Sequence, residues 1–263
     1  MQPGDVEIRR MRAHAKLTLS LRVTGVRNDG FHLIDAEMVS LDLHDVLTID
    51  PNRTGLSAIG PFSDGIALDE SNLVTRALRL AEATAHVELD KQIPHGGGLG
   101  GGSSDAATIL RWAGIDTSTE SLTRVAHLGA DIAFCLVGGR ARVRGIGEIV
   151  EPLPHVDRTV TLIIPPMSVS TPAVYRAWDT LGGPTADGPN DLEPAALTAA
   201  PELRRWRDAI GERIGRPPTL AGSGATWFAV GEHQDALTDL VDEGVRVVVA
   251  RTVPADVATN RTP

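Results

Sequence analysis

Residues Pro94 to Thr108 read PHGGGLGGGSSDAAT, with glycine at positions 96, 97, 98, 100, 101 and 102. Glycine at this density uncovers backbone N–H groups and opens positive φ angles to the main chain. Ser103, Ser104 and Asp105 then supply side-chain oxygens of the kind that cap a helix, and Ala106, Ala107, Ile109, Leu110 and Ala113 recur at helical spacing. The stretch therefore predicts a glycine nest opening onto a helix N-terminus. Unpaired amides and the positive end of the helix dipole both favour a phosphate there.

Other glycine motifs fit less well. A Walker loop needs a lysine after its last glycine, and the chain contains no Gly-Lys pair. Gly96, Gly98 and Gly101 satisfy GxGxxG, with Val87 to Ile93 as a preceding strand. That strand carries Glu88, Asp90, Lys91 and Gln92 where a dinucleotide fold has a buried apolar run. A flexible linker would carry polar filler and no defined helix after it. Here Pro94 bounds the loop and a helix start ends it, which marks a built site.

Around this loop the chain reads as alternating sheet and helix. Leu17, Leu19, Leu21 and Val23 alternate with Lys16, Thr18, Ser20, Arg22 and Thr24, predicting a half-buried strand with Lys16 on its polar face. Asn28-Asp29-Gly30 is a turn signal, and the run from Val39 to Ile49 predicts a strand paired with the first. Residues 51 to 70 support only loops or short strands. Helices are predicted from Leu73, capped by Ser71 or Asn72, and from Thr117 or Thr119 to Gly129. Arg140 to Val143 and Glu148 to Val150 read as strands that close a first domain near residue 155. Beyond it come a strand at VTLII, a helix after Ser170-Thr171-Pro172, and a helix through Leu203, Trp206 and Ile210. A glycine turn at LAGSGAT, a strand at Trp227 to Val230, a helix near Gln234 to Asp242 and a strand at Val245 to Ala250 complete the order, with a frayed last dozen residues.

Composition limits the function classes. A net charge of −9 with scattered arginines argues against nucleic acid and anionic membrane as partners. The single cysteine, Cys135, excludes a disulfide within the chain and a multi-cysteine metal site, and its neighbours Phe134 and Leu136 suggest a buried structural thiol. Together with an N-terminus that lacks an apolar signal core, this points to the cytoplasm.

The loop resembles the central motif of the galactokinase, homoserine kinase, mevalonate kinase and phosphomevalonate kinase (GHMP) superfamily, in the double-glycine form typical of the 4-diphosphocytidyl-2-C-methyl-D-erythritol kinases. AHAKLTLSLRVTGVRNDGFH, ESNLV, GADIAFCL, GRARVRGIGE, VSTPAVYRAWD and LAGSGAT extend the likeness over most of the chain. His14, Thr18, Phe31 and Ala133 stand where that family usually has proline, asparagine, tyrosine and proline.

The resemblance implies an α+β, two-domain GHMP kinase fold. Residues 1–155 would form a ribosomal protein S5 domain 2-like ATP-binding domain, and residues 156–263 a ferredoxin-like one. It implies transfer of a phosphoryl group from ATP, with Mg²⁺, to the 2-hydroxyl of 4-diphosphocytidyl-2-C-methyl-D-erythritol, in the non-mevalonate route to isopentenyl diphosphate. Lys16 and Asp131 are the implied catalytic residues, the aspartate as acceptor of the hydroxyl proton. Asn72 and Lys91 are implied beside the adenine. Pro94, Gly96, Gly97, Gly98, Leu99, Gly100, Gly101, Gly102, Ser103 and Ser104 form the implied phosphate loop, with LAGSGAT as a second wall. Phe31 and Tyr175 on opposite faces, with His32 and Thr171, are implied to hold the cytidyl substrate. No metal ligand is assigned to the protein, and a monomer or weak homodimer is expected.

Overall fold

The computed structural model describes residues 7–259. Strands β1 (Arg9–Val26) and β2 (His32–Asp50) run antiparallel from Arg9↔Ile49 to Val26↔His32. Gly30, at φ +86°, turns the chain between them and donates its N–H to the Arg27 carbonyl at 2.9 Å. Then follow β3 (Gly55–Ile59), α1 (Leu73–Leu80), β4 (His86–Asp90), α2 (Gly101–Trp112), α3 (Thr119–Ala126), α4 (Ala130–Val137), β5 (Arg140–Gly145) and β6 (Ile149–Leu153). β2 is the central strand: besides β1 along its length, it pairs with β5 through Ile34 to Val39 and with β4 through Val46 to Asp50. Two helices, α1 and α3, start on local side-chain caps, with Asn72 Oδ1 accepting the Val74 N–H at 2.8 Å and Ser118 Oγ the Ser121 N–H at 3.3 Å.

The second half contains β7 (Thr159–Ile164), α5 (Thr171–Thr180), α6 (Glu193–Ala199), α7 (Glu202–Ile214), β8 (Thr219–Leu220), β9 (Trp227–Val230), α8 (Thr238–Asp242), β10 (Arg246–Val253) and α9 (Ala255–Ala258). Its strands lie in the order β10-β7-β9-β8, all antiparallel, which is the ferredoxin-like arrangement. Residue 155 lies in the segment between β6 and β7. The end of β10 crosses back to β2, pairing Thr252 with Leu41 and Val253 with Ser40, so one ladder joins the two halves. α9 then seats against Gly139, where a Cβ would meet Ala255 atoms at 2.9 Å. Residues 252–259 are thus strand, then helix, and not frayed as the sequence suggests; 260–263 lie outside the described residues.

A second expectation also fails, for a physical reason. β1 has no solvated face in its middle, since Lys16 is 5% exposed and Thr18 2%. Ala15, Leu17 and Leu19 pack into a core shared with Val160, Leu162 and Phe228 of the second half. Lys16 and Thr18 line a pocket on the other side of the strand. Period-two alternation separates two faces; here both are covered, one by core and one by a site.

Candidate active site

The glycine loop is shaped by close contacts on both sides. Gly96, Gly98 and Gly100 have φ of +73°, +77° and +69°, values that disfavour any residue with a Cβ. A Cβ on Gly98 would lie 2.8 Å from the Gly224 carbonyl oxygen and 2.9 Å from that of Ala221. On Gly100 it would lie 2.6 Å from Lys16 Cγ. The Lys16 N–H donates to the Leu99 carbonyl at 2.9 Å, and the Thr226 N–H to that of Gly97 at 3.2 Å. The loop therefore adds to the edge of β1 and docks on the glycine turn before β9. Leu99 itself is buried in the shared core as an anchor.

Helix capping corrects the sequence expectation. The cap of α2 is Gly100, which has no side chain to bond the first amides. Ser103 and Ser104 lie within the first turn, where Ser104 Oγ donates to the His14 carbonyl at 2.6 Å. Asp105 turns inward to Lys91 at 2.5 Å. The leading amides of α2 are left without a side-chain acceptor, the condition under which an anion can take that place.

Lys16 and Asp131 meet beside this terminus. Lys16 Nζ lies 3.2 Å from Asp131 Oδ2 and donates to Thr18 Oγ1 at 3.3 Å. Their side chains are 6% and 31% exposed, so the lysine is enclosed while the carboxylate faces open space. Asp131 is placed by the first turn of α4, after Gly129. Gly98, Ser103, Thr171, Gly222 and Ser223 complete the wall of a cavity of about 210 Å³. Behind it the Cys135 thiol is buried and pushed up to about 12, chiefly by desolvation, which keeps it an inert packing group.

One part of this wall has a segment, Asn190-Asp191-Leu192, that resembles the family's NDLE element but to which the sequence assigns no site role. Asn190 is buried and donates from Nδ2 to the carbonyls of Leu220 at 2.9 Å and Gly222 at 2.7 Å, fixing the turn that faces Lys16. Asp191 accepts from the Val23 N–H at 3.0 Å and from Arg22 at 2.7 Å, tying β1 to the second half. The Asn-Asp pair of the segment Asn190-Asp191-Leu192 was the available signal, but its partners lie far away in sequence.

At the outer end of the cavity, the His32 and Tyr175 rings lie 4.6 Å apart and tilted by 35°, while Trp178 meets His32 edge-on at 5.5 Å. Asp179 Oδ1 is 2.7 Å from His32 Nε2. Burial, and then the charge of Asp131, push the Tyr175 phenol above its ordinary range. Thr171 Oγ1 pairs with Ser223 Oγ at 2.7 Å. Phe31 stands at the hairpin tip, 57% exposed and outside this cluster of rings. Trp178 and Asp179 are additions that the sequence did not single out for the site.

A second cavity, about 260 Å³, opens on the other flank of the loop and is lined by Ala67, Asn72, Leu73, Lys91, Gly101 and Gly102, among others. Asn72 is occupied at both ends, its Oδ1 by the helix cap and its Nδ2 by the Ala67 carbonyl at 2.6 Å. Lys91 is buried, with its ammonium held by Asp45 and Asp105. Burial alone would lower that ammonium, and the two carboxylates outweigh it and raise it. Pro94 and Gly97 line a separate hollow with Phe62 and Arg246. Among the described residues, no group of three or more His, Cys, Asp or Glu side chains is arranged to hold a metal ion.

The chain is similar to known proteins over most of its length. Residues 72–139 match the GHMP kinases N terminal domain. A 4-diphosphocytidyl-2-C-methyl-D-erythritol kinase of Paracoccus denitrificans is 40% identical over 241 residues, covering 84% of this chain and 86% of the relative. One from Granulibacter bethesdensis is 37% identical over 265 residues, with 86% of each covered. The crystal structure of a 4-(cytidine 5'-diphospho)-2C-methyl-D-erythritol kinase superposes with a TM-score of 0.73 at 30% identity, covering 93% of this chain and 99% of that one. A homoserine kinase from Cytophaga hutchinsonii, at 17% identity and a TM-score of 0.57, shares the fold.

Proposed function

This chain belongs to the 4-diphosphocytidyl-2-C-methyl-D-erythritol kinases, and from that premise we propose that it moves the γ-phosphoryl group of ATP to the 2-hydroxyl of 4-diphosphocytidyl-2-C-methyl-D-erythritol, yielding the 2-phosphate and ADP. The observation that carries the reading is the approach of Lys16 Nζ to Asp131 Oδ2 at 3.2 Å, in a cavity walled by the glycine loop and the Gly222-Ser223 turn.

Phosphoryl transfer asks for alignment and for neutralisation of charge spreading over the phosphoryl oxygens. The co-substrate is ATP with Mg²⁺ carried on its phosphates. The uncapped amides of α2 and the loop hold the phosphate chain, with the base in the cavity bounded by Asn72 and Leu73. Lys16, kept in place by Thr18 and Asp131, lies against the transferred group. The acceptor oxygen attacks phosphorus, its proton passes to the Asp131 carboxylate, and ADP departs with the bridging oxygen and its electron pair. His32, Tyr175 and Thr171 take the cytidyl end, and Phe31, at the rim, closes over the ring. The site lies between an N-terminal unit, 1–155, and a C-terminal unit, 156–263. The buried free cysteine suits work in a reducing cytoplasm.

A sister activity toward homoserine or mevalonate would have no use for the rings of His32, Tyr175 and Trp178. Coupled ADP release with the three acceptors tests the proposal. Turnover with the cytidyl compound and none with homoserine or mevalonate is expected; the reverse preference overturns the substrate assignment, and no phosphoryl transfer in a single-turnover assay overturns the kinase reading.

A further inference from the structure

Beneath the glycine loop lies an ion cluster that the transfer chemistry leaves unused. Lys91, just before the loop, donates to Asp45 on β2 and, at 2.5 Å, to Asp105 Oδ2 on α2. Asp45 Oδ1 also accepts the Gln92 N–H at 2.5 Å and the Ile93 N–H at 2.8 Å. The three side chains are 0–3% exposed. Lys91 stands on the incoming stem of the loop and Asp105 on the outgoing one. Their contact closes the two stems on each other, and Asp45 pins the closure to the sheet.

The charges in this cluster do not balance. Two carboxyl groups share one ammonium, and while both oxygens of Asp45 have donors, Asp105 Oδ1 is buried with no partner. A buried carboxylate with an orphan oxygen is costly, and the neutral acid avoids most of that cost. We infer that Asp45, Lys91 and Asp105 are positioning residues for the nucleotide's phosphates: a clasp that closes the loop and keeps Asp105 as the neutral acid, so that an anionic ligand meets no net negative charge beneath it. The inference rests on the nucleotide-binding role proposed above.

The direction of its pH dependence follows. Burial is the main force on Asp105, lifting it to about 7; attraction to Lys91 opposes and repulsion from Asp45 adds. Below that pH the clasp is neutral, and above it one negative charge develops under the amino end of α2, weakening its hold on phosphates. Other titratable groups lie around the cluster, among them Lys16, Asp131 and Arg111, which together with Asp105 act on the Cys135 thiol. α4 presents the Cys135 thiol, held protonated, and β1 presents His14, held neutral. The loop contributes His95 to the same cavity, and α1 contributes uncharged Asn72 and Leu73.

The test compares wild type with Asp105→Asn, which keeps a carbonyl oxygen for Lys91 and carries no charge. Apparent KM for ATP is measured between about pH 6 and 8.5, and the ligand's own ionisation cancels in the ratio of the two proteins. The ratio of wild type to variant should rise about three- to tenfold across pH 7, with the change in KM and not in kcat. A flat ratio overturns the inference. Should the variant not fold, carboxyl ¹³C NMR of the nucleotide-free wild type decides: one aspartic acid titrating near 7 supports the clasp, and every aspartate ionised by about pH 5.5 overturns it. Because that titration involves no nucleotide, it judges the clasp even if wild type proves unable to bind ATP, an outcome that would sink the kinase reading instead.

Discussion

Gly98→Ala probes the contact on which the site's shape depends. At φ +77°, an L-residue costs about 1–2 kcal/mol. The added methyl would also sit 2.8 Å from the Gly224 carbonyl oxygen and 2.9 Å from that of Ala221. Both neighbours are backbone, so relief requires the loop and the turn to separate, an overpacking cost of about 1–3 kcal/mol. The sum is about 2–5 kcal/mol, a sizeable part of the roughly 5–15 kcal/mol that holds a domain folded. At about 2–4 °C per kcal/mol for a chain of this size, the melting temperature should fall by about 4–20 °C. Gly102→Ala is the control, since its Cβ would meet nothing nearer than Leu73 Cδ1 at 3.7 Å. Thermal melts followed by circular dichroism, with and without ATP, measure both variants. A Gly98→Ala protein that melts with the control and binds ATP normally would refute the argument that the loop is seated on the turn.

Two further outcomes follow from other parts of the site. Burial holds His14 down to about 4, against a hydrogen bond with the Leu41 carbonyl that raises it, so the folded protein keeps this imidazole neutral while the unfolded chain protonates it near 6.5. Stability is thus lost as pH falls from about 6.5 toward 4, by on the order of 2 kcal/mol at pH 5, and urea unfolding of His14→Gln should lack that part of the acid sensitivity. Tyr175→Ala removes the ring 4.6 Å from that of His32, and should raise KM for the cytidyl substrate about tenfold while leaving KM for ATP within about twofold, as initial-rate assays would show.

Features set by neighbours in sequence were legible, and those set by distant partners were not. Asn72 as a cap, Gly30 in its turn and the helix after the glycine loop depend on residues a few positions away. The cap of α2 is not legible in the sequence, because Ser104 and Asp105 have better partners across the fold, in the His14 carbonyl and Lys91. Lys91 illustrates the limit most directly. Its partner Asp45 lies 46 residues earlier, so nothing local distinguishes an ammonium facing a ligand from one locked in an ion pair. The supporting role of Asn190, which holds the Gly222 turn from 32 residues away, is hidden for the same reason. β1 shows the complementary failure, because alternation records that Lys16 and Leu17 face opposite ways and not what covers each face.

Phosphoryl transfer here depends on Asp131 receiving a proton in the cavity that it lines with Lys16. Its most direct test is the rate of ADP release with 4-diphosphocytidyl-2-C-methyl-D-erythritol, wild type against Asp131→Ala, with ATP binding and folding measured on the same samples. A folded variant that binds ATP and turns over about a hundred- to a thousandfold more slowly is the predicted result. Turnover within a few fold of wild type would contradict it.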